Sequence, residues 1–301
     1  MGSAGAFDLQ GHRGARGLAP ENTLAAFRTA LDLGVTTLET DLAVTSDGEL
    51  VLSHESSLNP DIVRGADKRW IAPPGAAIHS LSLAELARYD IGRLNPASAY
   101  AKQFPEQKPA DGQHFPMLGE LFKLGGTKVR YNIETKLDPG KPGLTPGPAR
   151  FTALAVAAIR EAKATSRSTL QSFDWRTLIE AHRIAPEIET ACLTIESNNM
   201  DTVGRAAGGS AWLGGLKLGD HGGSLPRTAK AAGCAVWSPF WRNVTSASVT
   251  EAHELGLKVL PWTVNDPAEM ARLIDLQVDG LITDYPNRAL PVLAAKGLTA
   301  R

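Results

Sequence analysis

Three carboxylates and two histidines are the residues of this chain best suited to hydrolytic chemistry, and their spacing says how they would be presented. Side chains two apart on an extended strand share one face. Around 36–42, Glu39 and Asp41 point one way, while Leu38, Thr40 and Leu42 point the other. Around 129–134, Arg130, Asn132, Glu134 and Lys136 line one side, with Val129, Tyr131 and Ile133 opposite. Charges on the inner face of a closed sheet are costly unless they are paired or bound to a metal. Glu39, Asp41 and Glu134, reaching one mouth from adjacent strands, make a hard-oxygen site for one divalent cation, Mg²⁺ or Ca²⁺, rather than for zinc. A salt-bridge cluster of the same residues is the competing reading, and it suits the deeper Arg130 and Asn132.

His12 directly follows the strand-like run 7–10 and sits between Gly11 and Arg13-Gly14. His54 ends a second run, 50–54, after the turn Ser46-Asp47-Gly48. Two histidines at strand ends beside an acidic cluster could supply the proton acceptor and donor that ester cleavage needs near neutral pH. Arg13 adds a guanidinium fork suited to phosphate. His79, His114, His182, His221 and His253 lack such company, and His182 and His253 read as helix-surface residues.

The elements that must position these groups follow a βα rhythm. β-rich runs lie near 7–10, 36–42, 129–134, 168–172, 188–194, 234–238, 258–263 and 280–283; the clearest helical patterns are 22–33, 117–125, 148–163, 174–184, 246–255 and 267–276. Asp174 and Asn265-Asp266-Pro267 read as helix starts, and Gly34 and Gly256 as left-handed C-terminal caps. Eight such units, with no Gly-x-Gly-x-x-Gly after the first strand, predict an α/β fold of the (β/α)8 TIM-barrel type with its site at the carboxyl ends of the strands. We read 1–301 as one barrel domain. Residues 55–116 form an insertion between the second strand and second helix, with a short helical piece at 83–88, folded over one end of the barrel. Residues 138–148 are a loop, because their prolines and glycines continue neither helix nor sheet.

Composition bounds the partners. The chain has 301 residues, 43% hydrophobic and 21% charged, with a formal net charge of -1. No overall field draws it to nucleic acid or an acidic membrane, and no apolar run approaches the ~18 residues of a membrane span. A small-molecule substrate is expected, with no stable membrane insertion; oligomeric state is left open. Cys192 and Cys234 read as two buried thiols acting as small hydrophobes. A disulfide between them requires neighbouring strands and would point to an oxidising compartment. Met-Gly-Ser-Ala-Gly at the start reads as an appendage left by expression, although a removed export signal would leave the same trace.

Taken in order, Gly11-His12-Arg13-Gly14, Pro20-Glu21-Asn22-Thr23, Glu39-Thr40-Asp41, Asp47-Gly48 and Ser53-His54 resemble the opening of the glycerophosphodiester phosphodiesterase family. The resemblance continues through Asn132-Ile133-Glu134-Thr135-Lys136, Gln171-Ser172-Phe173-Asp174, Pro261-Trp262-Thr263-Val264-Asn265 and Gly280-Leu281-Ile282-Thr283-Asp284-Tyr285-Pro286. It implies hydrolysis of glycerophosphodiesters to an alcohol and glycerol 3-phosphate. It further implies that His12 and His54 are the acid–base pair and that Glu39, Asp41 and Glu134 are the metal ligands. Arg13 and Lys136 would hold the phosphate, and Trp262 would pack near the glycerol. Gln171 and Phe173 would be substrate-facing wall positions. Glu21 and Asn22 fall in a loop beside the site, as helix start and loop anchor or as substrate contacts, and Asp284 would orient or brace. We expect His12 as base and His54 as acid. Two other functions compete. One is a lysophospholipase D-like activity, with Trp237, Phe240 and Trp241 lining an apolar channel; the other is a barrel that only binds phosphorylated polyols. Relatives of this length with such an insertion are in many cases exported, which leans the expectation towards the periplasm, with the cytoplasm open.

Overall fold

Strands that are buried on both faces and joined through helices must pair in parallel, and these do. The computed structural model describes residues 6–300, so the reading of the first five residues lies outside the described part. In chain order the elements are β1 (Ala6–Gly11), α1 (Leu24–Asp32), β2 (Thr37–Val44), β3 (Leu50–Leu52), α2 (Leu83–Leu86), α3 (Leu118–Gly125), β4 (Arg130–Thr135) and α4 (Pro148–Glu161). They continue with β5 (Ser168–Ser172), α5 (Trp175–Ile184), β6 (Glu189–Thr194), α6 (Leu225–Ala231), β7 (Val236–Pro239), α7 (Ser246–Glu254), β8 (Lys258–Val259), α8 (Pro267–Asp275), β9 (Gly280–Thr283), α9 (Pro286–Ala295) and β10 (Thr299–Ala300).

The parallel order β1-β2-β4-β5-β6-β7-β8 is completed by β9 on the free side of β1. Closure between β8 and β9 runs through Asp279 N to Val259 O (3.0 Å), Ile282 N to Pro261 O (3.0 Å) and Val264 N to Ile282 O (2.9 Å). This is the (β/α)8 barrel expected from the sequence. The regular part of β8 is shorter than the expected 258–263, because Pro261 has no N–H to donate to a ladder. The expected split between faces also appears. Leu38, Leu42, Tyr131 and Ile133 join the core between strands and helices, together with Phe27, Phe151 and Trp175.

Local signals set most helix ends. Thr23 caps α1, its hydroxyl accepting from Ala26 N. Helix α1 starts later than the expected 22 because Asn22 has a φ of +53°, outside helical space. Asp174 caps α5, and Asp266 caps α8 ahead of Pro267. Gly34 and Gly256 have φ of +79° and +72°. Helices α6 and α9 went unread in the sequence, where Pro226 in the first turn and Pro291 inside the helix interrupt the pattern.

Residues between β3 and α3 build a small core of their own. Leu58, Ile62, Val63, Ile78, Leu86 and Ile91 pack with Ala43 of β2 and Val51 of β3. Strand β3 runs antiparallel to the end of β2, so the insertion rests on a hairpin that prolongs a barrel strand.

The free-thiol reading of the cysteines is corrected: Cys192 and Cys234 form a disulfide, with Cα atoms 6.0 Å apart. The reason is adjacency rather than ladder register: β6 and β7 are neighbouring strands with Cys192 opposite Trp237, and Cys234 lies against Cys192 from the turn that leads into β7, where Ala235 N donates to Thr190 O (2.9 Å).

Candidate active site

Register decides which carboxylates meet. Strands β2 and β4 pair with Glu39 opposite Asn132 and Asp41 opposite Glu134, and β4 pairs with β5 so that Glu134 faces Gln171. Ligand oxygens of Glu39, Asp41 and Glu134 all lie within 4.8 Å of one another, on three buried residues. Burial and then the neighbouring Asp41 push the Glu39 carboxyl well up. Burial pushes Glu134 up too, against the pull of Lys136. Asp41 is held well below the usual range: burial acts against this, but Arg13, His54 and Lys136 together outweigh it. Asp41 Oδ1 is buried with no hydrogen-bond partner. Buried polar atoms are rarely left so, and an unpartnered carboxylate oxygen facing two more carboxylates fits a divalent cation. The all-oxygen donor set suits Mg²⁺ or Ca²⁺.

The surrounding bonds orient those acids. Gln171 Nε2 donates to Glu39 Oε1 (2.8 Å), and Asn132 Nδ2 donates to Gln171 Oε1 (2.9 Å) and to Gln10 Oε1 (2.8 Å). Gln171 lines the cavity, but its amide is committed to a carboxylate rather than left free. Asn22 Nδ2 donates to Asp41 Oδ2 (3.0 Å) and Asn22 Oδ1 accepts from Thr40 Oγ1 (2.8 Å), so Asn22 braces a strand acid. Lys136 Nζ lies 2.7 Å from Glu134 Oε1 and 3.7 Å from Asp41 Oδ1. Arg130 pairs with Glu189 at 2.9 Å, a structural ion pair away from the carboxylate cluster.

His12 stands at the end of β1. Its Nδ1 lies 2.6 Å from Asp284 Oδ1, and its Nε2 is 4.0 Å from Glu39 Oε2. A carboxylate only accepts, so the ring carries its proton on Nδ1 and leaves the Nε2 lone pair free. Burial and then Arg16 lower the imidazole to about 4, against Asp284. His54 arrives from β3: Ser53 N donates to Asp41 O (3.0 Å), and His54 Nδ1 lies 2.8 Å from Glu55 Oε1. Burial, then Arg13 and Lys136, lower His54 as well.

The turn after β1 is tight. Gly14 has a φ of +85°, and a Cβ there would meet the Ala26 backbone carbon at 2.6 Å. Arg13, at φ +50°, takes a conformation rare for a side-chain-bearing residue. Its N–H donates to Glu39 Oε2 (2.8 Å), its Nη1 donates to Glu21 Oε1 (2.8 Å), and its Nε is 3.2 Å from Asp41 Oδ2. Glu21 thus holds a site arginine.

Sequence reasoning missed Arg16 and Tyr100. Arg16 grips Asp284 with two bonds, Nε to Oδ1 (2.8 Å) and Nη2 to Oδ2 (3.0 Å), and its Nη1 donates to Tyr100 Oη (3.0 Å). Asn265 Nδ2 also donates to Asp284, at 2.7 Å. The available signal for Arg16 was a second arginine in the His-Arg-Gly-Ala-Arg turn. Tyr100 carried none.

A cavity of about 170 Å³ joins these groups. His12, Arg13, Arg16, His54 and Lys136 line its polar side, and Phe173, Leu193, Trp262 and Ile282 its apolar side. Phe173 meets Trp262 edge-on, with ring centroids 5.2 Å apart, and Lys136 Nζ sits 5.7 Å from the Phe173 ring. The expected Trp237, Phe240 and Trp241 cluster divides. Trp237 is buried and donates to Thr194 Oγ1 (3.0 Å), whereas Phe240 packs on Trp241 and Trp262.

Such a pocket at the carboxyl ends of the strands marks a hydrolytic (β/α)8 barrel. The chain belongs to the glycerophosphoryl diester phosphodiesterase family, whose model matches residues 12–288, and it is a phosphoric diester hydrolase, which sets aside the binding-only alternative. It is 28% identical over 284 residues to a glycerophosphodiester phosphodiesterase of Bacillus subtilis (strain 168), covering 92% of this chain and 83% of that protein. A crystal structure of a candidate glycerophosphoryl diester phosphodiesterase from Silicibacter pomeroyi DSS-3 superposes with a TM-score of 0.87 at 33% identity, covering 100% of this chain and 97% of that one. A phosphodiesterase of Oleispira antarctica, in complex with the product sn-glycerol-3-phosphate, shares the fold (TM-score 0.69, 21% identity, 97% of each chain). No helix among the described residues is long and apolar enough to cross a membrane.

Proposed function

We propose that the chain hydrolyses glycerophosphodiesters to an alcohol and sn-glycerol 3-phosphate, using one divalent cation and a pair of histidines. The observation that carries this reading is the convergence of Glu39, Asp41 and Glu134, with Asp41 Oδ1 left unpartnered. The product held by the Oleispira antarctica relative supports the choice of ester.

Glu39, Asp41 and Glu134 would hold the cation. When bound, it supplies Lewis-acid stabilisation of negative charge developing on the phosphoryl oxygens. Arg13 and Lys136 face the same cavity and stabilise that charge where it develops. His12, neutral and with Nδ1 tied to Asp284, takes a proton at Nε2 from the nucleophile, either water or the substrate's own glycerol hydroxyl; in the second case the alcohol leaves a cyclic phosphate that a water then opens to glycerol 3-phosphate. His54 returns a proton to the departing alcohol; a bound phosphodiester anion would raise its affinity for that proton by simple attraction. Trp262 and Phe173 give the glycerol carbons an apolar wall.

The test is release of glycerol 3-phosphate from several headgroup esters, after chelation and readdition of Mg²⁺ or Ca²⁺. His12→Ala and His54→Ala should each lower kcat by ~10²-fold or more with circular dichroism unchanged. Turnover within tenfold of wild type in either variant defeats the assignment. Long-chain lysophosphatidylcholine cleaved better than glycerophosphocholine would favour the lysophospholipase D-like reading instead.

A further inference from the structure

One side chain of the insertion bridges two residues of the segment after β1. Tyr100 Oη accepts from Arg16 Nη1 at 3.0 Å and donates to Glu21 Oε2. Each of those partners holds a site residue by its other end. Arg16 grips Asp284, which holds His12 Nδ1. Glu21 Oε1 accepts from Arg13 Nη1. One phenol therefore closes a chain of bonds whose two ends are the histidine at the end of β1 and the arginine beside the carboxylates.

The segment carrying Tyr100 is fastened to the same turn. Phe104 meets Tyr100 edge-on at 5.2 Å, and the Arg16 guanidinium lies over the Phe104 ring at 4.6 Å. Gln107 Nε2 donates to Arg16 O (2.7 Å), and Lys108 N donates to Leu18 O (2.9 Å). These contacts hold the backbone of the turn, so the hydroxyl itself is free to set the two arms. Burial and then Glu21 push the phenol well up, which keeps it a donor across the working pH range.

We propose that Tyr100 is a positioning residue for the hydrolysis: it holds Arg13 through Glu21 and His12 through Arg16 and Asp284, without touching substrate. Without the hydroxyl, Glu21 Oε2 and Arg16 Nη1 lose their shared partner in a buried setting. Arg13 then has Asp41, 3.2 Å from its Nε, as a competing anchor that draws it from the phosphate. The inference rests on the two-histidine reading above.

Tyr100→Phe keeps the ring and its packing while deleting the bonds. In the full-length protein, kcat for a glycerophosphodiester should fall by ~10-fold or more, as when outer partners of a site are cut. KM and the inhibition constant of glycerol 3-phosphate should rise severalfold, because the Arg13 arm is loosened independently of the chemistry. In an Asp284→Asn background the kcat loss from Tyr100→Phe should largely vanish, since that arm is already cut. Kinetic constants within twofold of wild type overturn the proposal even if the melting temperature drops, and so does a kcat loss that is fully additive with Asp284→Asn. Either result, alongside inactive His12→Ala and His54→Ala, leaves the two-histidine reading standing. Active histidine variants would instead overturn the reading beneath it.

Discussion

Asp284 accepts from His12 Nδ1 at 2.6 Å while Arg16 binds the same carboxylate through two nitrogens. The shared carboxylate fixes the ring's tautomer, and the arginine absorbs much of its charge. Asp284→Asn keeps the shape but lets the amide present a donor to His12. We expect kcat to fall by ~10²-fold or more, as when the group orienting a catalytic imidazole is replaced by an amide, with KM changed far less. Steady-state kinetics on one diester checks this, and a loss under tenfold would show that the orientation is dispensable.

The same residue sets an acid limit. Burial pushes the Asp284 carboxyl up, but Arg16 and then His12 outweigh it and hold the group well below its usual range. A carboxyl whose folded pKa lies below its unfolded value of ~3.9 adds stability above that value and loses it as the pH falls towards the folded one. Stability to urea should therefore decline on acidification below about pH 5, and Asp284→Asn should flatten that decline. An unchanged acid slope in the variant would remove Asp284 from the account.

Gln171 donates to Glu39 Oε1 and accepts from Asn132 Nδ2. Gln171→Leu deletes the donor that aims a carboxylate, and affinity for the activating cation should weaken by ~10–100-fold. KM at saturating cation should barely move. Titrating activity against Mg²⁺ or Ca²⁺ separates the two. A large KM effect at saturating cation would return Gln171 to direct substrate contact.

The Cys192–Cys234 bond spans a sequence separation of 42. The chain-entropy relation gives about 4 kcal/mol for a loop of that size, with measured losses usually about 2–4 kcal/mol. Replacing both cysteines with alanine, or reducing the bond, should lower stability by that order and leave kcat near wild type. Denaturant unfolding with and without reductant checks the first part, and a variant of unchanged midpoint would contradict it.

The barrel was legible because its strands repeat a two-residue alternation and its helices begin at recognisable caps. Leu38 and Leu42 against Glu39 and Asp41 show one strand addressing two environments. Helices α6 and α9 were hidden by Pro226 and Pro291, where only the surrounding fold reveals that the chain stays helical. Among site residues, those on strands were the easier to find, because strand spacing fixes direction. Arg16 and Tyr100 sit on irregular backbone and meet across 84 positions of sequence. No local pattern encodes such a meeting. The cysteine pairing stayed open for a related reason: it depends on β6 and β7 lying side by side, which neither strand states alone.

Strand β2 serves two masters. Glu39 and Asp41 on its inner face help hold the acidic cluster, while Ala43 further along seats the insertion's core. Excising residues 55–116 would thus not yield a trimmed enzyme with a wider door. It would fray the rail on which two of the three acids ride, so a loss of turnover in such a deletion would report on the rail before it reported on substrate choice.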